Sequence, residues 1–163
     1  MCELLVMRHA KSDWDTGVVD HERPLAPRGV RAARSMARFL AESGFDPDLA
    51  IASAALRARS TAELVLEHGG FACPLRVEAS LYGASPGAVL AVLRTVEPAV
   101  GRVLTVGHEP WCSELVALLT GAAVAFPTAT VACLDAGVTQ WGELAPGRAV
   151  LRWLVPPRVL PHT

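Results

Sequence analysis

Three stretches of this sequence place cations and imidazoles directly after apolar runs. Arg8 and His9 follow residues 3–7, Ser53 and then Arg57 follow residues 49–52, and Gly107 and His108 follow residues 102–106. Arginine presents a planar fork that matches the equatorial oxygens of a phosphoryl group. Neutral imidazole is a competent nucleophile near pH 7, its reference pKa being about 6.5, and nearby guanidinium charge favours the unprotonated ring. Helix starts after Ser53 and Glu109 would add backbone N–H donors and positive dipole ends. The chemistry this combination can do is attack on phosphorus by His9 without a metal. Singly, each residue has a plainer reading, since a histidine beside a strand is usually a structural hydrogen-bonder and a lone arginine is usually solvated. The coincidence of three strand ends carries the case.

The elements that must position these residues are legible as alternation. Apolar runs of strand length at 3–7, 49–52, 102–106, 130–134 and 149–155 are separated by helical patterns, an α/β signature in which ligands bind beyond the carboxyl ends of the strands. Val30, Ala33, Ala37, Leu40 and Ala41 share one helical face, with Gly29 near its start and Gly44 ending the pattern. A second helix is expected from about Leu56 to Glu67, stopped by Gly69 and Gly70. Ser85 and Pro86 announce a third, and Pro110 opens a fourth.

With 163 residues, 52% of them hydrophobic and 19% charged, the chain reads as one globular domain over 1–155 with an irregular, proline-bearing tail over 156–163. A net charge of -1 offers no overall attraction for nucleic acid or anionic membrane, so any anion site is local. Cys2, Cys73, Cys112 and Cys133 form no CxxC pair or disulfide framework, and the short apolar start stops at Arg8; both point to the cytoplasm. Residues 115–134 carry no charge over the length of a membrane span. Thr120, Gly121, Pro127, Thr128 and Thr130 divide that stretch into a helix end, a loop and a strand.

Arg8-His9-Ala10-Lys11-Ser12 resembles the RHG or RHA signature of the histidine phosphatase superfamily, which includes the phosphoglycerate mutases. Asp20-His21-Glu22-Arg23-Pro24-Leu25 with Arg28-Gly29 is similar to the stretch before the first helix in small SixA-type phosphohistidine phosphatases. The segment from Ser53 to Glu63 resembles their SSPxxRARQTAE run, and Val106-Gly107-His108-Glu109-Pro110 their VGHNP run. The resemblance implies a single-domain three-layer α/β/α sandwich with a mostly parallel sheet. It implies that His9 becomes phosphorylated, that Arg8 and Arg57 hold the phosphoryl oxygens, and that His108 donates to them. Arg23 joins that pocket, and Ser12 either contacts phosphate or caps a helix or loop. No metal or other cofactor is implied. Lys11 and Trp14 fit the SixA-type pattern without an assigned role.

The sequence departs from that pattern at Ala54, Ser60 and Glu109. The general acid stays unassigned among Glu109, Asp20 and Glu78. Splitting phosphohistidine releases imidazole, a far weaker base than an alkoxide, and so asks less of an acid. The substrate expected is therefore phosphohistidine on a protein, with small phosphate esters or a catalytically silent phosphate-binding module as alternatives. Cys2 and Arg8 have the Cys-x5-Arg spacing of tyrosine phosphatases but lack the intervening glycines. Asp13-Trp14-Asp15-Thr16-Gly17 resembles an aspartyl-nucleophile motif without following a buried strand. A metal site from His9, His21, His108 and Asp20 would set a divalent cation among arginines.

Overall fold

The computed structural model describes residues 1–161. Its order is β1 (Glu3–Arg8), α1 (Pro27–Glu42), β2 (Leu49–Ser53), α2 (Leu56–Gly69), β3 (Leu75–Glu78), α3 (Pro86–Leu93), β4 (Arg102–Gly107), α4 (Trp111–Thr120), β5 (Val131–Asp135) and β6 (Val150–Val155), with short 3-10 turns between. One sheet runs β3-β2-β4-β1-β5-β6. β1 to β4 are parallel neighbours, and β5 and β6 add antiparallel pairs at one side.

Central parallel strands are buried on both faces, which is why β1 reads as the unbroken run Leu4-Leu5-Val6-Met7. Alternate side chains feed different layers. Leu4 and Val6 pack with Leu90, Leu93, Leu115 and Leu119 of α3 and α4, while Leu5 and Met7 pack with Met36, Leu40, Ala62 and Val65 of α1 and α2. The result is the expected three-layer sandwich.

All five expected strands form, their ends moved by at most a residue, and so do the four expected helices: α2 starts at Leu56, α3 at Pro86 and α4 directly after Pro110, while α1 starts at Pro27, two residues before Gly29. Pro27 and Pro86 occupy first-turn positions, and Ser85 Oγ accepts the Ala88 N–H at 3.1 Å. β3 was not expected. It is a four-residue edge strand, and its Leu-Arg-Val-Glu pattern has too little apolar content to stand out from a loop. The uncharged stretch 115–134 folds as the end of α4, a loop and most of β5, and no helix among the described residues is long and apolar enough to cross a membrane. The tail makes a 3-10 turn at Pro157–Val159 and packs Leu160 against the α1 side of the core; residues 162 and 163 lie outside the described residues.

Candidate active site

Strand register assembles the site. In the β1–β4 pair Arg8 lies opposite Gly107, so the residues that follow, His9 and His108, leave the sheet side by side, and the His9 N–H continues the ladder to the Gly107 carbonyl at 2.8 Å. In the β2–β4 pair Ala52 lies opposite Val106, which sets Ser53 against the same edge. Its Oγ is 2.8 Å from His108 Nε2. Gly107 is required here because the ring of Trp111 lies over it; a Cβ would fall 1.6 Å from Trp111 Cζ2. Thr61, on α2, joins two segments of the site: its Oγ1 accepts the Ala10 N–H at 3.0 Å and donates to the Arg57 carbonyl at 2.7 Å.

His9 is buried, with Nδ1 2.7 Å from the Ala10 carbonyl oxygen. A carbonyl only accepts, so Nδ1 carries the proton and the lone pair is on Nε2. Burial, and then the charges of Arg57, Arg8 and Arg23, hold the ring's pKa down to about 4 against the opposing pull of the Ala10 carbonyl. The His9 ring is neutral at physiological pH, with an Nε2 lone pair free to act. His108 is lowered further, to about 3, by burial first and then by His9 and Arg57.

The arginines converge with these rings on a cavity of about 300 Å³ lined by Arg8, His9, Lys11, Ser12, Trp14, Asp20, Arg23, Arg57, His108, Glu109 and Thr128. Arg8 Nη1 donates to the Phe126 carbonyl at 3.0 Å. Arg23 donates through Nη1 to Ser12 Oγ and through Nε and Nη2 to Asp20 Oδ1, both at 3.1 Å. Its guanidinium lies 3.5 Å above the exposed Trp14 ring. Arg57 reaches the Asp20 carbonyl at 2.9 Å and Asp20 Oδ2 at 3.2 Å. Arg8 Nε, Arg57 Nε and His108 Nδ1 are buried without a protein partner. Four cations against two carboxylates leave the lining with two positive charges, the complement of a phosphoryl dianion.

All six residues singled out in the sequence line this cavity, so the alternative of Ser12 as a plain cap gives way to a side chain that accepts from Arg23. The three carboxylates separate. Glu78 pairs with Arg76 on β3, outside the cavity lining. Glu109 accepts from both the N–H and the hydroxyl of Ser113, each at 2.7 Å, at the start of α4. Asp20 is pulled down to about 2, by the hydrogen bond from Tyr82 first and then by Arg23 and Arg57, against the cost of burial. Tyr82, the chain's sole tyrosine, was not singled out by sequence; it follows the unexpected β3, and its one signal is its rarity. Among the described residues no group of three or more His, Cys, Asp or Glu side chains is placed to hold a metal ion.

Residues 4–89 match the model of the histidine phosphatase superfamily, branch 1. The chain belongs to that superfamily. The matched stretch holds Arg8, His9, Ser12, Arg23 and Arg57, whereas His108 enters the site from β4 beyond it. An uncharacterised protein of Mycobacterium tuberculosis is 41% identical over 156 residues, 89% of this chain and 96% of that protein. Among solved structures of histidine phosphatases, the chain named phosphohistidine phosphatase SixA from Nakamurella multipartitia superposes with a TM-score of 0.83 at 30% identity, over 96% of both chains. The protein histidine phosphatase SixA complexed with tungstate gives 0.83 at 26% identity, over 96% of this chain and 97% of that one. The fold of this histidine phosphatase superfamily member is thus the SixA-like, phosphoglycerate mutase-like sandwich.

Proposed function

We propose that this protein is a metal-independent phosphohistidine phosphatase acting on phosphorylated proteins. In the first step the lone pair on His9 Nε2 attacks phosphorus, and the P–N bond of the substrate breaks with its electron pair passing to the departing imidazole. With its other ring nitrogen protonated from solvent, the substrate ring departs as neutral imidazole, whose conjugate acid has a pKa of about 6.5, so no enzyme acid has to supply the proton. Arg8, Arg23 and Arg57 neutralise the charge spread over the equatorial oxygens, and His108 contributes a hydrogen bond. In the second step water attacks the phosphorylated His9; the P–Nε2 bond breaks, giving inorganic phosphate and neutral His9.

The observation that carries this reading is the state of the cavity carboxylates. Asp20 is ionised under its two arginines and Tyr82, and Glu109 is committed to Ser113. A site without a ready acid suits a leaving group that requires none. The mouth also favours a protein. Trp14, in the cavity lining, is 68% exposed, and the exposed Tyr82 reaches the lining residues Asp20 and His108, giving the mouth aromatic side chains that a small phosphate would leave unused. The names of the SixA neighbours agree with this substrate. We place the reaction in the cytoplasm, since all four cysteines are unpaired thiols.

The test is a substrate panel run with a chelator present, with His9→Ala as control. Turnover of a phosphohistidine protein should exceed that of small phosphomonoesters by about 10²-fold or more, and a phosphoenzyme should be trapped on the wild type and not on the variant. Faster turnover of sugar phosphates would remove the substrate assignment. A pocket that binds phosphate but never labels would make the protein a binding module.

A further inference from the structure

Arg8 and Arg57 are tethered alike. Each guanidinium is held at its far end, Arg8 through Nη1 on the Phe126 carbonyl and Arg57 through Nη1 and Nη2 on the carbonyl and carboxylate of Asp20, and each keeps a buried Nε without a partner. A fork anchored at its far end has lost most of its rotamer freedom before substrate arrives, so ordering it does not weaken binding. For Arg8 the anchor is backbone. For Arg57 it is a side chain that must itself be held.

Asp20 is held from two sides. Arg23 places Nε and Nη2 on Oδ1, and the Tyr82 hydroxyl donates to Oδ2 at 2.6 Å. Tyr82 is braced in turn by edge-on contacts with His21, 4.9 Å between centroids, and with His108, 5.7 Å. The carboxylate sits between two guanidinium groups that would otherwise repel each other. It also forms part of the cavity wall.

We propose that Asp20, braced by Tyr82, is the positioning residue of the phosphate cradle: its carboxylate sets Arg23 and Arg57 and makes no contact with the phosphoryl group. This rests on the reading of the cavity as a phosphoryl site. A carboxylate that merely competed with phosphate for the arginines would have the opposite effect on anion binding, so the sign of one measurement decides.

Inorganic phosphate serves as the probe, as a competitive inhibitor of turnover. Asp20→Ala should raise its inhibition constant and KM about tenfold while kcat stays within about threefold, the loss of charge-assisted hydrogen bonds on two arginines. Tyr82→Phe should weaken phosphate binding about threefold in the wild type and not at all in the Asp20→Ala background, because Tyr82 acts through Asp20. Tighter or unchanged phosphate binding in Asp20→Ala, or an equal effect of Tyr82→Phe in both backgrounds, overturns the proposal. If Asp20→Ala does not fold by circular dichroism, the near-isosteric Asp20→Asn takes its place in the same scheme. A wild type that phosphate does not inhibit would instead remove the phosphoryl reading of the cavity, and the proposal with it.

Discussion

The rings of His9 and His108 lie 5.3 Å apart, centroid to centroid, buried at the carboxyl ends of adjacent parallel strands. Two imidazoles so close, under three arginines, cannot both charge cheaply. Neither ring should therefore show an inflection near pH 6.5 in an NMR titration; His9 should protonate near 4 and His108 near 3. Because the charge of His9 is one cause of the low value at His108, His9→Asn should move the His108 inflection upward. An unchanged His108 titration in that variant would mean that burial and the neighbouring arginines set it without His9.

The same two rings fix the acid side of the stability curve. Their unfolded pKa is about 6.5 and their folded values lie well below it, so between those limits the unfolded chain binds protons that the folded chain excludes. Stability must fall as pH drops from about 6.5 toward 4, by up to about 1.4 kcal/mol per pH unit for each ring. Asp20 adds its own loss only at lower pH, as its carboxylate protonates below the ordinary 3.8 toward 2. Urea midpoints at pH 7.5 and 5.0 measure the difference, which should shrink in a His9→Asn, His108→Asn double variant.

Thr61 ties the backbone after His9 to the first turn of α2, and its hydroxyl has both an N–H to accept and a carbonyl to serve. Thr61→Val keeps the shape and strands the buried Ala10 N–H, at a cost of about 1–3 kcal/mol. Urea denaturation should show that loss, and kcat/KM should fall with it because His9 and Arg57 lose their common tether. Thr61→Ser should recover most of both.

How much of this was readable beforehand follows from distance along the chain. Arg8, His9 and Ser12 fall within one pentapeptide, His108 comes one glycine after an apolar run, and Arg57 lies in the first helical turn after another, so strand ends and local motifs were enough to find them. Tyr82 meets Asp20 across 62 residues, and Thr61 meets Ala10 across 51. Such pairs come together only once the crossover connections are in place. Tyr82 also follows β3, whose exposed edge position calls for alternating charge and so hides it from an apolar search. The role of Asp20 was open for a related reason: a carboxylate in a cationic cavity reads equally well as an acid or as a brace until its partners are known.

Of the three departures from the SixA-type pattern, Glu109 is the one in the cavity lining, and its geometry assigns it to the start of α4, where both oxygens are taken by Ser113. Glu109→Gln should leave turnover of a phosphohistidine protein within about threefold of the wild type, since general acids contribute about 10²–10⁴-fold. A fall of that larger size, with the acid limb of the pH profile lost, would make Glu109 the proton donor.

Gly29 tests how the first helix shapes the site. It lies at the start of α1 against the loop that follows His9, and a Cβ there would come within 2.1 Å of the Lys11 carbonyl oxygen. That oxygen also accepts the Ala26 N–H at 2.9 Å, so neither side can retreat without breaking the seam. Gly29→Ala should cost about 1–3 kcal/mol by overpacking, against the small gain in helix propensity. The displaced backbone carries Lys11 and Ser12, both in the cavity lining, so KM should rise along with the drop in urea midpoint. A variant that loses stability at unchanged KM would show that the α1 seam supports the fold without setting the cradle.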